Sequence, residues 1–167
     1  VTLCKTLGSY MVLLGGGAGS IEEATEKLEQ VIADGTALRK LAEFVRAQGG
    51  DDRAVFDTSL LPKAGIIEEI ASPADGYVQK IDCDEIGMCS LLLGGGRETK
   101  ESSIDLAVGL ILNKKVGDFV KKGESLATIH ANDRQKLEAA KERFLKAYHI
   151  ADAPVEKSAF IKGIVRE

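Results

Sequence analysis

Apolar residues divide this chain into two stretches with different periods. Up to about residue 50 they recur at helical intervals. Leu3, Leu7, Tyr10, Met11 and Leu14 share one face, which stops at Gly15-Gly16-Gly17. Ser20 and Glu23 then form a capping box, in which the hydroxyl serves an orphan N–H and the carboxylate reaches back. A second face follows at Ala24, Leu28, Val31 and Ile32, with Gly35 as a natural terminator. A third face, Leu38, Leu41, Phe44 and Val45, ends near Gly49-Gly50. Residues 51–64 are polar and turn-like and predict a linker.

Beyond Pro62 the pattern shortens to that of strands. Gly65–Ala71 is isoleucine-rich. Pro73-Ala74-Asp75-Gly76 predicts a turn, because proline presets φ and glycine accepts a positive one. Tyr77, Val78 and Ile81 continue as a strand. The pattern of residues 84–93 is ambiguous; one reading is a short helix capped by Asp84, with Ile86, Cys89, Leu92 and Leu93 inward. Ile104–Leu112 reads as a buried strand or helix, and Ser125–His130 as a strand. Asp133 caps a helix whose face is Leu137, Ala140, Phe144 and Ala147, with His149 at its end. Phe160, Ile161, Ile164 and Val165 suggest edge strands. The resulting expectation is an α+β chain: a helical segment over 1–50, a linker over 51–64 and a C-terminal domain over 65–167.

Composition narrows the function classes. With 44% hydrophobic residues, 167 residues suffice for one cored domain plus a helical extension. A net charge of −4 gives no electrostatic case for nucleic acid or an anionic membrane. No apolar run approaches the roughly 20 residues a bilayer requires, and no leader pattern is visible. Cys4, Cys83 and Cys89 lack metal-type spacing and read as free thiols of a cytoplasmic protein. Valine at position 1, already inside a helical pattern, suggests a piece of a longer chain.

Few residues suggest chemistry. Gly94-Gly95-Gly96 is followed by Arg97, Glu98, Thr99, Lys100 and Glu101. Three glycines are costly to order, so the run predicts a mobile connecting loop, a plain turn or a backbone cradle for phosphate. It lacks the spacing and the Lys-Ser/Thr pair of a P-loop. Alanine at Gly95 and Gly96 is expected to restrict it by excluding positive φ. His130 and His149 are too isolated to form a metal site. Lys114-Lys115 and Lys121-Lys122 flank turns, and Glu22, Glu23, Glu26 and Glu29 form a solvated helix face. No Ser-His-Asp set is legible. Val116-Gly117-Asp118-Phe119-Val120-Lys121-Lys122-Gly123-Glu124 looks like the hairpin of biotinyl and lipoyl carrier domains. No Met-Lys pair accompanies it, so a shared architecture is favoured over a stand-alone carrier-like binding module, which remains the alternative.

Several motifs in order also carry a family resemblance. They are Thr6-Leu7-Gly8-Ser9 with Met11-Val12, Ala47-Gln48-Gly49-Gly50-Asp51, Pro73-Ala74-Asp75-Gly76-Tyr77-Val78, Asp84-Glu85-Ile86-Gly87, the Gly94–Lys100 run, Ile104-Asp105-Leu106-Ala107-Val108-Gly109, Lys122-Gly123-Glu124 and Thr128-Ile129-His130. Together they resemble the C-terminal part of pyrimidine-nucleoside phosphorylases and the related thymidine phosphorylases. The resemblance implies an α/β hammerhead domain related to barrel-sandwich folds, in a cytoplasmic homodimer that closes on its substrates. Such enzymes convert a pyrimidine nucleoside and phosphate to free base and pentose 1-phosphate. It also implies that the phosphate motif, the base-binding set and the usual cation site lie upstream. No catalytic, cofactor-binding or metal-binding residue carries over, and the chain alone is expected to be inactive. Its expected roles are structure, dimerisation and domain closure, with Gly94, Gly95, Gly96, Arg97, Glu98, Thr99 and Lys100 as the closure loop.

Overall fold

A computed structural model describes residues 1–97, 99–157 and 159–165. Two compact units emerge: Val1–Leu61 with the tail from Ile161, and Pro62–Phe160. The expected 65–167 domain therefore compares with a unit that ends at Phe160. The tail residues expected as edge strands form no strand among the described residues.

The first unit contains α1 (Thr2–Leu14), α2 (Ile21–Ala33) and α3 (Thr36–Ala47), followed by short 3-10 turns at Asp52–Val55 and Thr58–Leu60. Ser20 caps α2 by accepting the Glu23 N–H at 3.1 Å. The Glu23 carboxylate reaches one residue further than the motif requires and accepts the Gly19 N–H at 2.8 Å. Helices α1 and α2 meet through small residues. Ser9 is buried, with its hydroxyl 2.8 Å from that of Thr25. A Cβ on Gly8 would sit 3.0 Å from Leu28 Cδ1. Ala24 and Ala42 complete the buried set of this unit among the described residues. The large side chains of the expected faces point outward: Leu7, Met11, Leu14, Leu41 and Phe44 are all exposed. Beside α3, an open apolar depression of about 540 Å³ lies among Leu41, Val45, Ala54, Val55, Leu60 and Leu61.

The second unit holds β1 (Ile66–Ala71), β2 (Gly76–Ile81), α4 (Cys83–Ser90), β3 (Gly109–Leu112), β4 (Phe119–Val120), β5 (Ser125–Ala131), α5 (Arg134–Ala147) and β6 (Tyr148–Ala151). Two three-stranded antiparallel sheets form, in the orders β1-β5-β3 and β4-β2-β6. The fold class is α+β. Strand β5 is central and buries Leu126, Ala127, Ile129 and Ala131. Asp133 caps α5 by accepting the Gln135 and Lys136 N–H groups at 2.8 and 3.0 Å. That cap starts the helix in the register that buries Leu137, Ala140, Phe144 and Ala147. Gly76 is required where β2 passes β6. Its φ is +148°, and a Cβ there would lie 2.9 Å from the Ala151 carbonyl oxygen.

Three local expectations are corrected. The cap position of α4 is Asp82, so Asp84 lies in the first turn, where a carboxylate favours the positive end of the helix dipole. Only Gly109–Leu112 of the 104–112 run is a strand, paired with His130–Ala127. His149 lies on β6, not at a helix end. Helix α5 turns into strand without an intervening loop. The junction is held by Phe144 stacking on Tyr148, with ring centroids 4.6 Å apart. The Tyr148 hydroxyl also donates to the Lys114 carbonyl at 2.9 Å, and the Asp82 N–H donates to the Ala147 carbonyl at 3.0 Å. The last two of these contacts span distant parts of the sequence and, with the pairing of β6 on β2, override the local helical pattern.

Candidate functional site

The glycine segment starts in the continuation of a helix. Helix α4 runs on into a widened turn over Leu91–Gly95 that buries Leu93. Gly94 ends the helical path at φ +102°, a conformation that strains any L side chain. Of the three glycines only Gly94 has positive φ. The expectation that Gly95 and Gly96 need positive φ is therefore corrected, because close approach constrains them instead. A Cβ on Gly95 would lie 2.8 Å from Ser90 Oγ and 3.1 Å from its carbonyl oxygen, and one on Gly96 would lie 2.9 Å from Leu91 Cδ1. All three glycines are half-buried, whereas Arg97, Thr99 and Lys100 are exposed. Glu98 lies outside the described residues.

The excursion over residues 95–104 is pinched at its neck, where the Asp105 N–H donates to the Gly94 carbonyl at 2.9 Å. Within it, the Thr99 N–H donates to Ser102 Oγ at 3.1 Å. The Asp105 carboxylate accepts the Ala107 N–H at 2.9 Å through Oδ1 and the Asn132 side-chain amide at 2.7 Å through Oδ2. Asn132 Oδ1 in turn accepts the Gly65 N–H at 2.7 Å. The Asn132 amide, followed by the Ala107 N–H and the charge of Lys136, holds the Asp105 carboxyl below the usual carboxylate range.

The other residues singled out from sequence do not converge on this segment. His149 Nε2 lies 2.6 Å from Asp82 Oδ2, and Lys80 pairs with the other oxygen at 2.5 Å. These two partners keep the Asp82 carboxyl low, with Lys80 the larger influence. His130 is half-buried on β5, its Nε2 enclosed without a hydrogen-bond partner among the described residues. Cys89 is buried and directs its thiol to the Ala140 carbonyl at 3.4 Å; burial raises the thiol pKa, which suits a packing role. Cys4 and Cys83 are exposed. Among the described residues no His, Cys, Asp or Glu group is arranged to hold a metal ion, and no helix is long and apolar enough to cross a membrane. The stretch that looks like a carrier hairpin is a turn between two sheets, because β4 pairs with β2 and β5 with β1 and β3; in it the Lys122 N–H donates to Asp75 at 2.6 Å and the Lys121 N–H to Glu124 at 2.9 Å, so both backbones are committed to the turn.

What the glycine segment can supply is cationic charge on Arg97 and Lys100 and a backbone suited to a tight bend. Among its described residues it carries no nucleophile and base in hydrogen-bonding reach of one another. Sequence reasoning missed Asn132, whose partners lie 67 and 27 residues away. Its position between the end of β5 and the Asp133 cap was the available signal.

Residues 77–151 match the pyrimidine nucleoside phosphorylase C-terminal domain. Over 159 residues the chain is 48% identical to a pyrimidine-nucleoside phosphorylase of Geobacillus stearothermophilus, covering 95% of this chain and 36% of that protein. Identity to the Bacillus subtilis (strain 168) protein of the same name is 50% over 130 residues, or 78% of this chain and 30% of the relative. A Staphylococcus aureus (strain MSSA476) relative is 42% identical over 163 residues, 98% of this chain and 37% of its own length. The chain thus spans about a third of the length of these curated relatives.

Proposed function

This chain belongs to the pyrimidine-nucleoside phosphorylase family, and we propose that it serves as the C-terminal part of such an enzyme. In this reading the complete enzyme is a homodimer. It cleaves a pyrimidine nucleoside with phosphate to give the free base and a pentose 1-phosphate. The residues of this chain contribute structure, dimer contacts and domain closure. The bond-making groups, and any cation site, lie in the part of the relatives that this chain does not span. The single observation that carries the reading is 48% identity along 95% of the chain.

Closure gives the glycine segment its role. Phosphorolysis in a cleft between two domains depends on positioning and charge stabilisation once water is excluded. Arg97 and Lys100 bring cationic groups on an exposed stretch, and Gly94 gives that stretch a bend no other residue adopts without strain. Phosphate enters as co-substrate, and no cofactor is assigned to this chain.

The test is a segment exchange. The matching part of the Geobacillus stearothermophilus relative is replaced by this chain, and release of uracil from uridine and thymine from thymidine is measured. The exchange enzyme should release base, and the 167-residue chain alone should release none above background. A folded, dimeric exchange enzyme without activity overturns the reading, as does activity of the purified chain alone.

A further inference from the structure

The contacts around Asn132 go beyond what closure by the glycine segment requires, although their functional consequence rests on that reading. A flexible excursion can be attached in two ways. Its ends can fray independently, or they can be clamped so that it moves as one body. Here the ends meet directly, through the Asp105 N–H and the Gly94 carbonyl. That backbone bond closes the neck of the excursion. On the Gly94 side the neck continues the turn that buries Leu93; on the other side the Asp105 carboxylate ties it to the domain, and the long-range partner of that carboxylate is Asn132. Asn132 stands directly between central strand β5 and the capped start of α5, which each contribute four buried residues to the unit. Its other amide atom is engaged by Gly65, at the entrance to β1. One exposed side chain thus ties the entry of the domain, the junction between its central strand and its core helix, and the neck of the glycine segment.

We propose that Asn132 is a positioning residue that, through Asp105, clamps the neck of the 95–104 excursion to the β5–α5 junction. The geometry is polar and directional. The Asn132 side chain presents its carbonyl oxygen to the Gly65 N–H and its NH₂ to an ionised carboxylate, and hydrogen bonds to charged groups are the stronger class. Aspartate at position 132 would keep the first bond and turn the second into carboxylate facing carboxylate. The reciprocal change to asparagine at position 105 repairs it. With both exchanged, the carboxylate now at position 132 accepts the Gly65 N–H and the NH₂ of the amide now at position 105. The oxygen of that amide accepts the Ala107 N–H. The same three bonds return with one donor–acceptor pair reversed, a pattern that loss of packing or of charge alone does not reproduce.

Trypsin reads the clamp in the 167-residue chain itself, because Arg97 and Lys100 lie in the excursion while Lys121 and Lys122 lie in the separate turn between β4 and β5 and serve as the internal reference. Asn132→Asp should raise the cleavage rate after Arg97 and Lys100 by about tenfold relative to the reference sites. Asp105→Asn should raise it less, and the variant carrying both substitutions should return it to within about twofold of the parent. Circular dichroism checks that each variant is folded; if Asn132→Asp is not, Asn132→Ala takes its place, and Asp105→Asn with the double variant still reports the rescue. Unchanged cleavage in the folded single variants, or no recovery in the double variant, overturns the clamp. In the segment-exchange enzyme, Asn132→Asp should lower kcat with KM for phosphate nearly unchanged, and the double variant should restore kcat. If the proteolysis series behaves as stated while the exchange enzyme is inactive even without substitutions, the clamp stands and the proposed function fails. If the exchange enzyme is active and its kcat is indifferent to the clamp variants, the positioning role fails while the family function stands.

Discussion

The two units use amphipathic patterns of similar quality to opposite effect. In the helical unit, the faces legible in sequence form helices at the expected places, yet the described buried residues are Ser9, Ala24 and Ala42, all small. In the second unit, thirteen described residues including Ile70, Val78, Leu126, Ile129, Leu137 and Phe144 form one connected core. The difference is not helix propensity. Helix α3 has a strong apolar stripe, but Leu41 and Phe44 stay in contact with water, whereas Phe144 on α5 is fully enclosed and stacked on Tyr148. A periodic pattern states which face is apolar, and only the partner elements decide whether that face is removed from water. Since most helical stability in proteins comes from that removal, the second unit should carry the cooperative stability of the chain.

Substitutions sharpen this contrast in descending order. Phe144→Ala should destabilise the second unit by about 3–5 kcal/mol, the range for removing a buried aromatic ring, read from urea denaturation of the parent and the variant. Gly94→Ala should cost about 1–2 kcal/mol through its left-handed backbone and lower the melting temperature of the same transition. Alanine at Gly95 should act through its approach to Ser90, not through φ, so Ser90→Ala, which removes the Oγ contact and leaves the carbonyl one, should relieve it in part; the melting temperatures of the single and double variants decide this. Asp133→Ala should cost about 1 kcal/mol by leaving two N–H groups of α5 without their cap.

Acid should act on the second unit as well. The Lys157 ammonium, with the Lys115 N–H, holds the Asp118 carboxyl below its ordinary value of 3.8. Because the folded value is depressed, this contribution is complete above the ordinary value and is lost as pH falls through the lower folded one. Asp118→Asn should therefore flatten the acid limb of a stability-versus-pH curve and leave its slope near neutrality unchanged. The smallest effect belongs to the other unit: Phe44→Ala, at a side chain 62% exposed, should shift stability by no more than about 0.5 kcal/mol. A large loss there would break the comparison.

What was legible in sequence was local. Ser20 and Asp133 could be assigned as caps because each bonds N–H groups two or three residues on. The 73–76 turn and strand β5 followed from proline, glycine and alternation. What escaped depended on contacts between distant residues. Strand β6 was hidden because Tyr148–Ala151 continues the composition of α5, and only pairing with β2 makes it a strand. Asp82 lost the α4 cap to Asp84 in sequence because both are aspartates and the true start is fixed by Ala147, at the far end of α5. The glycine segment was conspicuous, but the distinct jobs of its glycines were not. One needs positive φ and two need space, and that distinction rests on Ser90 and Leu91 folding back over them.

Amide hydrogen exchange resolved by residue, on the unsubstituted chain at neutral pH, tests the contrast between the units most directly. Amides of β5 and of α5 around Leu137–Phe144 should open only with global unfolding, while those of α1, α2 and α3 should exchange through local opening and far sooner. Protection from Leu3 to Val45 as strong as that of β5, in the monomeric chain, would contradict the account and show that the helical unit is stabilised by something other than a buried core.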